Sequence, residues 1–238
     1  MKHKILAVLP FKSEDESFFE YNRKYVFPEG VDICTLPLGQ RMNESPVDSA
    51  ITLMEELKAI KQAEKEGYEA VVVGCFLDPG VREARELVDI PVLGTASTTL
   101  QVCTLLGQRI GIITTSIYVK RGIEANLREQ QLDKRVVVRY IGGDAISAIH
   151  DDGEVVKNAV NIAIQLIEED DCAVLTLGCG GLYGHLNQIR SELKIRGYEI
   201  PIVEGHKITC EVADILSDLG LSQSRLTYPK LGGYEGLE

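Results

Sequence analysis

Tryptophan is absent from this 238-residue chain, and aromatic residues make up only 6% of it. No apolar run approaches the roughly 20 residues that a membrane-spanning helix needs, so no membrane partner is expected. Basic charge is scarce too: 25 Lys+Arg stand against 36 Asp+Glu, a net charge of −11 with no Lys/Arg cluster. Phosphate backbones are held by clustered cations, so nucleic acid is excluded as a partner. The six cysteines (34, 75, 103, 172, 179 and 210) include no C-x-x-C pair, and the four histidines form no close pair. No metal site is expected from that spacing. Disorder is excluded by the 45% of hydrophobic residues spread along the chain.

The basic start Met1–Lys4 is followed by only five apolar residues, Ile5 to Leu9, before Pro10 and the charged Lys12, Glu14, Asp15 and Glu16. That is too short for a signal peptide and reads as a first strand, which predicts a cytoplasmic protein. In a reducing compartment cysteines are packing residues or reactive thiols rather than disulfides.

The chain repeats itself. Lys4–Pro10 corresponds to Arg109–Thr115, and Val31–Gly39 to Val136–Gly143, both at an offset of 105. Helical periodicity follows in each half: Val47, Ala50, Ile51, Met54 and Leu57, then Val156, Ala159, Val160, Ala163, Leu166 and Ile167. The runs ending in Cys75 and Cys179 align at 104, and Pro91–Gly94 and Pro201–Gly205 follow as further strands. Each half therefore reads β-β-α-β-α-β and then a helix. The expected fold is α/β: two related lobes, each a mostly parallel four-stranded sheet flanked by helices, about a pseudo-two-fold with a cleft between them. The lobes are expected at residues 1–96 plus 206–238 and at 97–205. Helices at Ala96–Gly107 and about Gly205–Leu219 would carry the chain across.

Cys34, Cys103, Cys172 and Cys210 lie within apolar patterns and read as packing residues. Cys75 and Cys179 each close a strand-like run and precede glycine-containing turns and a helix. At the carboxyl end of a parallel strand, backbone N–H groups and the next helix N-terminus favour a thiolate. Ligands of open α/β folds bind at this edge. Facing lobes would set these two thiols on opposite sides of one cleft. Such a pair removes a proton from one face of a carbon and supplies one to the other, inverting a stereocentre without a cofactor. The N–H groups around Gly74, Phe76, Gly178, Gly180 and Gly181 would hold the resulting enolate. Hydroxyls of Thr114, Thr115 and Ser116 would bind a carbonyl or carboxylate. Pro10, Ser45 and Tyr118 are further expected members of the substrate site, with core packing an equal reading for Tyr118.

Gly74-Cys75-Phe76-Leu77-Asp78-Pro79-Gly80, Arg82-Glu83-Ala84-Arg85, Pro91-Val92-Leu93-Gly94 and Gly178-Cys179-Gly180-Gly181 resemble the motifs of the aspartate/glutamate racemase superfamily. They are most similar to its hydantoin racemase branch, whose first motif is GCFGDPG. The resemblance implies a cofactor-independent racemase with Cys75 and Cys179 as acid/base residues and 5-substituted hydantoins or ureides such as allantoin as substrates. The branch has Asn-Pro-Asn-Thr where this chain has Leu9-Pro10-Phe11-Lys12, and Glu-Ala where it has Ala96-Ser97. The loop Gln40–Ser45 keeps only the Glu-Ser step. The two cysteines separate the chain from the arylmalonate decarboxylases, which keep only the second. Gly180-Gly181 replaces the Thr-His of glutamate and aspartate racemases, which argues against an α-amino acid substrate.

Other readings stay open. These are a same-fold isomerase or decarboxylase acting on a small carboxylate, an Asp/Glu-type racemase, and a bilobal small-molecule sensor. Gly178-x-Gly180-x-x-x-Gly184 has its third glycine one residue late for a dinucleotide fingerprint. Asp78 reads as the N-cap of the helix it precedes, with Pro79 at the first position. His185 reads as a surface or capping residue. Glu55–Glu66 reads as a solvated helix face. The tail from Ser222 is expected over the surface or against a neighbouring subunit. The partner expected is a small molecule; a homo-oligomer is compatible with the sequence.

Overall fold

The five apolar residues Ile5–Leu9 are buried throughout as strand β1, as a parallel strand covered on both faces must be. β2 (Val31–Thr35), β3 (Ala70–Val73) and β4 (Val92–Gly94) join it in the order β2-β1-β3-β4, all parallel. A second all-parallel sheet, β5 (Ile110–Thr114), β6 (Val136–Tyr140), β7 (Val174–Leu177) and β8 (Ile202–Val203), has the same order, β6-β5-β7-β8. The sequence repeat is thus a repeat of register: Ile5 faces Val31, and Ile110 faces Val136. The computed structural model describes residues 1–37, 45–150, 153–232, 234, 236 and 237. The loop residues Gln40–Glu44 lie outside them, as do Leu38 and Gly39.

One expectation is corrected. The first two strands of each half do not follow each other directly. Parallel neighbours start at the same end of the sheet, so the chain must cross back between them. Helix α1 (Glu16–Tyr21), continued by a π-helical turn at Asn22–Val26, does so in the first half. α1 buries none of its six residues, so it left no apolar periodicity to read. Between β5 and β6 the crossover is α5 (Ile117–Glu129), which buries Val119, Ile123 and Leu127 and is capped by the Ser116 hydroxyl.

The β2-to-β3 crossover is α2 (Pro46–Lys65). Ser45 and Asp48 close a capping box at its start, with Pro46 at the first helical position. Its Leu57, Ile60 and Ala63 pack on Leu6, Val8, Val71 and Val73, the alternate residues of β1 and β3 that share one face. Burying each such aliphatic side chain contributes about 1.5–3 kcal/mol. α3 (Val81–Arg85) follows β3. In the second half, α6 (Ala145–His150) precedes α7 (Glu154–Glu168), which covers β5 and β6. A 3₁₀ helix (Gly180–His185) and α8 (Leu186–Ile195) follow β7.

The chain divides into two units, Met1–Thr98 with His206–Glu238, and Thr99–Gly205. α4 (Thr95–Leu106) and α9 (Gly205–Asp218) carry it from one to the other. The C-terminal tail packs on the first unit rather than on solvent alone. Arg225 donates to the carbonyls of Arg85, Val88 and Tyr228, and Gln223 donates to those of Val88 and Ile90. Leu237 is buried in that unit's core. Among the described residues, no helix is long and apolar enough to cross a membrane.

Candidate active site

Cys75 stands two residues past the end of β3 and Cys179 two past the end of β7, the same point in each unit. Two backbone hydrogen bonds at each turn match. Gly74 donates its N–H to the Val8 carbonyl and Gly178 to the Ile113 carbonyl, both at 2.8 Å. The Cys75 carbonyl accepts from the N–H of Asp78 at 3.0 Å, and the Cys179 carbonyl from that of Leu182 at 3.2 Å. Each cysteine therefore opens a tight turn directly after a sheet ladder.

The preceding glycines are required by space. A Cβ on Gly74 would fall 2.3 Å from Leu9 Cδ2 and 2.9 Å from Phe27 Cζ; on Gly178 it would fall 2.8 Å from Ile112 Cγ2. Both cysteines are part-exposed, whereas Cys103, Cys172 and Cys210 are buried. Burial pushes the Cys103 thiol up to about 12 and the Cys172 thiol up to about 11, and it raises that of Cys210 further. Cys34 packs at the edge of the first unit's core and is pushed up to about 12 by burial and by Glu56. These four are thiols at neutral pH.

The turns then diverge. Cys179 is itself the N-cap residue of the 3₁₀ helix Gly180–His185. After Cys75, α3 begins only at Val81, and its N-cap is Gly80, at φ +63°. Asp78 does not cap the helix it precedes. At φ +48° it turns its carboxylate across to α4, where it accepts from the N–H groups of Ala96 and Ser97, both at 2.7 Å. A carboxylate satisfies orphan N–H groups best and favours the positive helix end, and this outweighs the local Asp-Pro-Gly signal. The residue keeps some surface, but its carboxyl is enclosed, and burial raises its pKa against the lowering effect of those bonds.

Of the other expected site residues, Pro10, Gly74 and Phe76 are buried at the carboxyl ends of β1 and β3, and Ser45 is part-exposed at the start of α2. Pro10 sits in a tight turn closed by Phe11 N–H to the Leu9 carbonyl at 2.8 Å. In the second unit Thr114, Thr115, Gly178 and Gly181 are buried, while Gly180 is part-exposed and Tyr118 is 62% exposed on α5. Thr114 donates its hydroxyl to the Gly178 carbonyl at 3.4 Å, and the Ser116 hydroxyl accepts from Val119 N–H. The Thr115 hydroxyl is buried with no partner among the described residues. His185 bonds the Ala148 carbonyl through Nε2 at 2.7 Å. A groove of about 740 Å³ along α7 and α8, with Lys157, Gln188 and Arg196 in its lining, includes neither cysteine.

Two residues near these turns carry no signal in the sequence reading. Tyr183 donates its hydroxyl to the Leu177 carbonyl and accepts from Gly205 N–H at 2.8 Å, tying the Cys179 turn to the start of α9. His206 bonds the backbone of Gly74. The available clue was spacing: His206, Thr209, Cys210 and Ala213 fall on one helical face, and all four are buried.

A family model described as Asp/Glu/Hydantoin racemase matches residues 16–213. A hydantoin racemase of Pseudomonas sp. (strain NS671) is 27% identical over 203 residues, 84% of this chain and 80% of the relative. Among solved structures, an allantoin racemase from Klebsiella pneumoniae superposes with a TM-score of 0.83 at 23% identity, covering 99% of each chain. One from Pseudomonas fluorescens gives 0.82 at 26% identity, over 94% of this chain and 95% of that one. The matched span takes in every strand except β1, together with both cysteine turns, and the chain belongs to the Asp/Glu/hydantoin racemase family of isomerases.

Proposed function

We propose that this racemase acts without a cofactor on 5-substituted hydantoins or related ureides, with Cys75 and Cys179 as its two proton-transfer groups. The observation that carries the reading is the matched position and matched pair of backbone bonds of the two cysteine turns, each at the carboxyl edge of a parallel sheet, where ligands of such folds bind. The C5–H of a hydantoin lies beside a ring carbonyl. One thiolate takes that proton and becomes a thiol, leaving an enolate. The other thiol then gives its proton to the opposite face and becomes the thiolate. Protons balance, and the reverse reaction starts from the exchanged state. The substrate class is supported by the relatives' names and by Gly180-Gly181. The Leu9-Pro10-Phe11-Lys12 loop offers no asparagine to the substrate, so a less polar contact is expected on that side.

The test is racemisation of a panel of 5-substituted hydantoins, allantoin, glutamate and aspartate in deuterated water. Deuterium should enter C5 at the rate of racemisation. Cys75→Ser and Cys179→Ser should each slow it by about 10²–10⁴-fold. A single-serine variant that racemises at the wild-type rate sinks the cysteine mechanism; turnover confined to the amino acids sinks the substrate class.

A further inference from the structure

Gly74 links β3 to Cys75, and both of its backbone groups are engaged. Its N–H continues the β1–β3 ladder to the Val8 carbonyl. His206 makes a hydrogen bond to the Gly74 backbone that favours the charged imidazole, and with the N–H already engaged the group left to accept it is the Gly74 carbonyl. His206 lies in the first turn of α9, is 2% exposed, and stands edge-on to Phe27 at 5.3 Å and 89°. Phe27 in turn occupies the space a Gly74 side chain would need. Burial holds the imidazole down at about 4, so it is neutral at physiological pH, with its single proton directed by the carbonyl it meets.

A peptide unit is a rigid plane in which C=O and N–H point in opposite directions. Fixing the Gly74 carbonyl therefore fixes the Cys75 N–H and Cα, the anchor from which the Cys75 side chain leaves the backbone. The second unit solves the same problem with a weaker group: the Gly178 carbonyl accepts from the Thr114 hydroxyl at 3.4 Å. The two cysteine turns share a backbone but not a support.

We infer that His206 is a positioning residue for Cys75, setting the Gly74–Cys75 peptide plane through its bond to the Gly74 carbonyl. The inference rests on Cys75 being one of the proton-transfer groups. Its test reads the thiol itself, so that the two can fail separately.

The variants are His206→Phe, which keeps an aromatic ring beside Phe27 but removes the donor, and His206→Gln, whose amide still donates. Iodoacetamide alkylation is followed residue by residue by mass spectrometry from pH 6 to 10. In His206→Phe the Cys75 rate relative to Cys179 should change by about three- to tenfold, and His206→Gln should return it to within about twofold. For racemisation, kcat should fall in His206→Phe with KM nearly unchanged. An unaltered Cys75-to-Cys179 ratio in a folded His206→Phe enzyme overturns the inference. If that variant does not fold, NMR of the wild-type His206 ring decides. A neutral ring in one tautomer from pH 5 to 8 supports the inference, and a charged ring or exchanging tautomers overturn it. A fully active Cys75→Ser enzyme would remove the catalytic reading while leaving the alkylation ratio as the measure of positioning.

Discussion

Asp78 and Gly94 interlock: a Cβ at position 94 would lie 2.3 Å from the Asp78 carboxyl carbon and 2.4 Å from Oδ2. The glycine is needed for space, because it lets the carboxylate reach the start of α4. Asp78 is three residues past Cys75, so the interlock ties the first cysteine turn to that helix end. Gly94→Ala should expel the carboxylate, leave the Ala96 and Ser97 N–H groups unsatisfied, and cost about 2–4 kcal/mol. Asp78→Ala should cost about the same, and the double variant little more than either single one. Urea unfolding of all three checks this; additive losses would show that the two positions act independently.

Alkylation should sort the cysteines by their surroundings. Cys75 and Cys179 are part-exposed; Cys103, Cys172 and Cys210 are buried with raised pKa values, and Cys34 is held at about 12. At pH 7.5 iodoacetamide should modify Cys75 and Cys179 first, and the buried three only after denaturation. Earlier labelling of Cys34 than of either would contradict the assignment.

Glu56 lies on α2 within a run expected to be solvated, yet it is fully buried and neither carboxyl oxygen has a partner among the described residues. Burial, with Glu83 and Asp78 nearby, raises its pKa well above the ordinary value. A raised folded pKa gives a contribution that is complete below the unfolded value near 4.5 and is lost as pH rises through the folded one. Glu56→Met should therefore stabilise by about 1–3 kcal/mol at pH 8 and by less at pH 4. Parallel wild-type and variant curves of stability against pH would refute this.

His206 acts with the opposite sign. Its folded pKa is about 4 against 6.5 unfolded, so the unfolded chain binds the proton first. Stability from this group is complete above pH 6.5 and falls between pH 6.5 and 4, by up to about 3 kcal/mol. His206→Gln should flatten that window, which chemical denaturation at each pH would show.

Arg225 reaches from the C-terminal tail to the carbonyls of Arg85 and Val88 and to Asp89 at 2.8 Å, and it also holds the Tyr228 carbonyl within the tail. Arg225→Ala should cost about 2 kcal/mol, and Arg225→Lys should recover less than half, because one ammonium cannot span the same set of carbonyls. Hydrogen exchange should quicken around Val88–Val92. Protection as in the wild type would mean the tail merely lies on the surface.

The four strands of each half and the equivalent positions of Cys75 and Cys179 were legible because each rests on local pattern or on internal repetition, whereas the order of the strands within each sheet was not. Buried parallel strands read as unbroken apolar runs, and an offset of 105 recurs in the register as Ile5–Val31 and Ile110–Val136. α1 escaped notice because it buries nothing. Asp78 misled because Asp-Pro-Gly is a strong local cap signal, while the N–H groups it satisfies lie 18 and 19 residues away. Glu56 was hidden among charges, and the His206–Gly74 contact joins residues more than 130 apart. The sequence by itself determined that two cysteines stand at equivalent points just past the ends of two apolar strands. Only the tertiary structure decided which polar groups hold those turns, because hydrogen-bond partners distant in sequence are chosen by packing, after the strands and helices are in place.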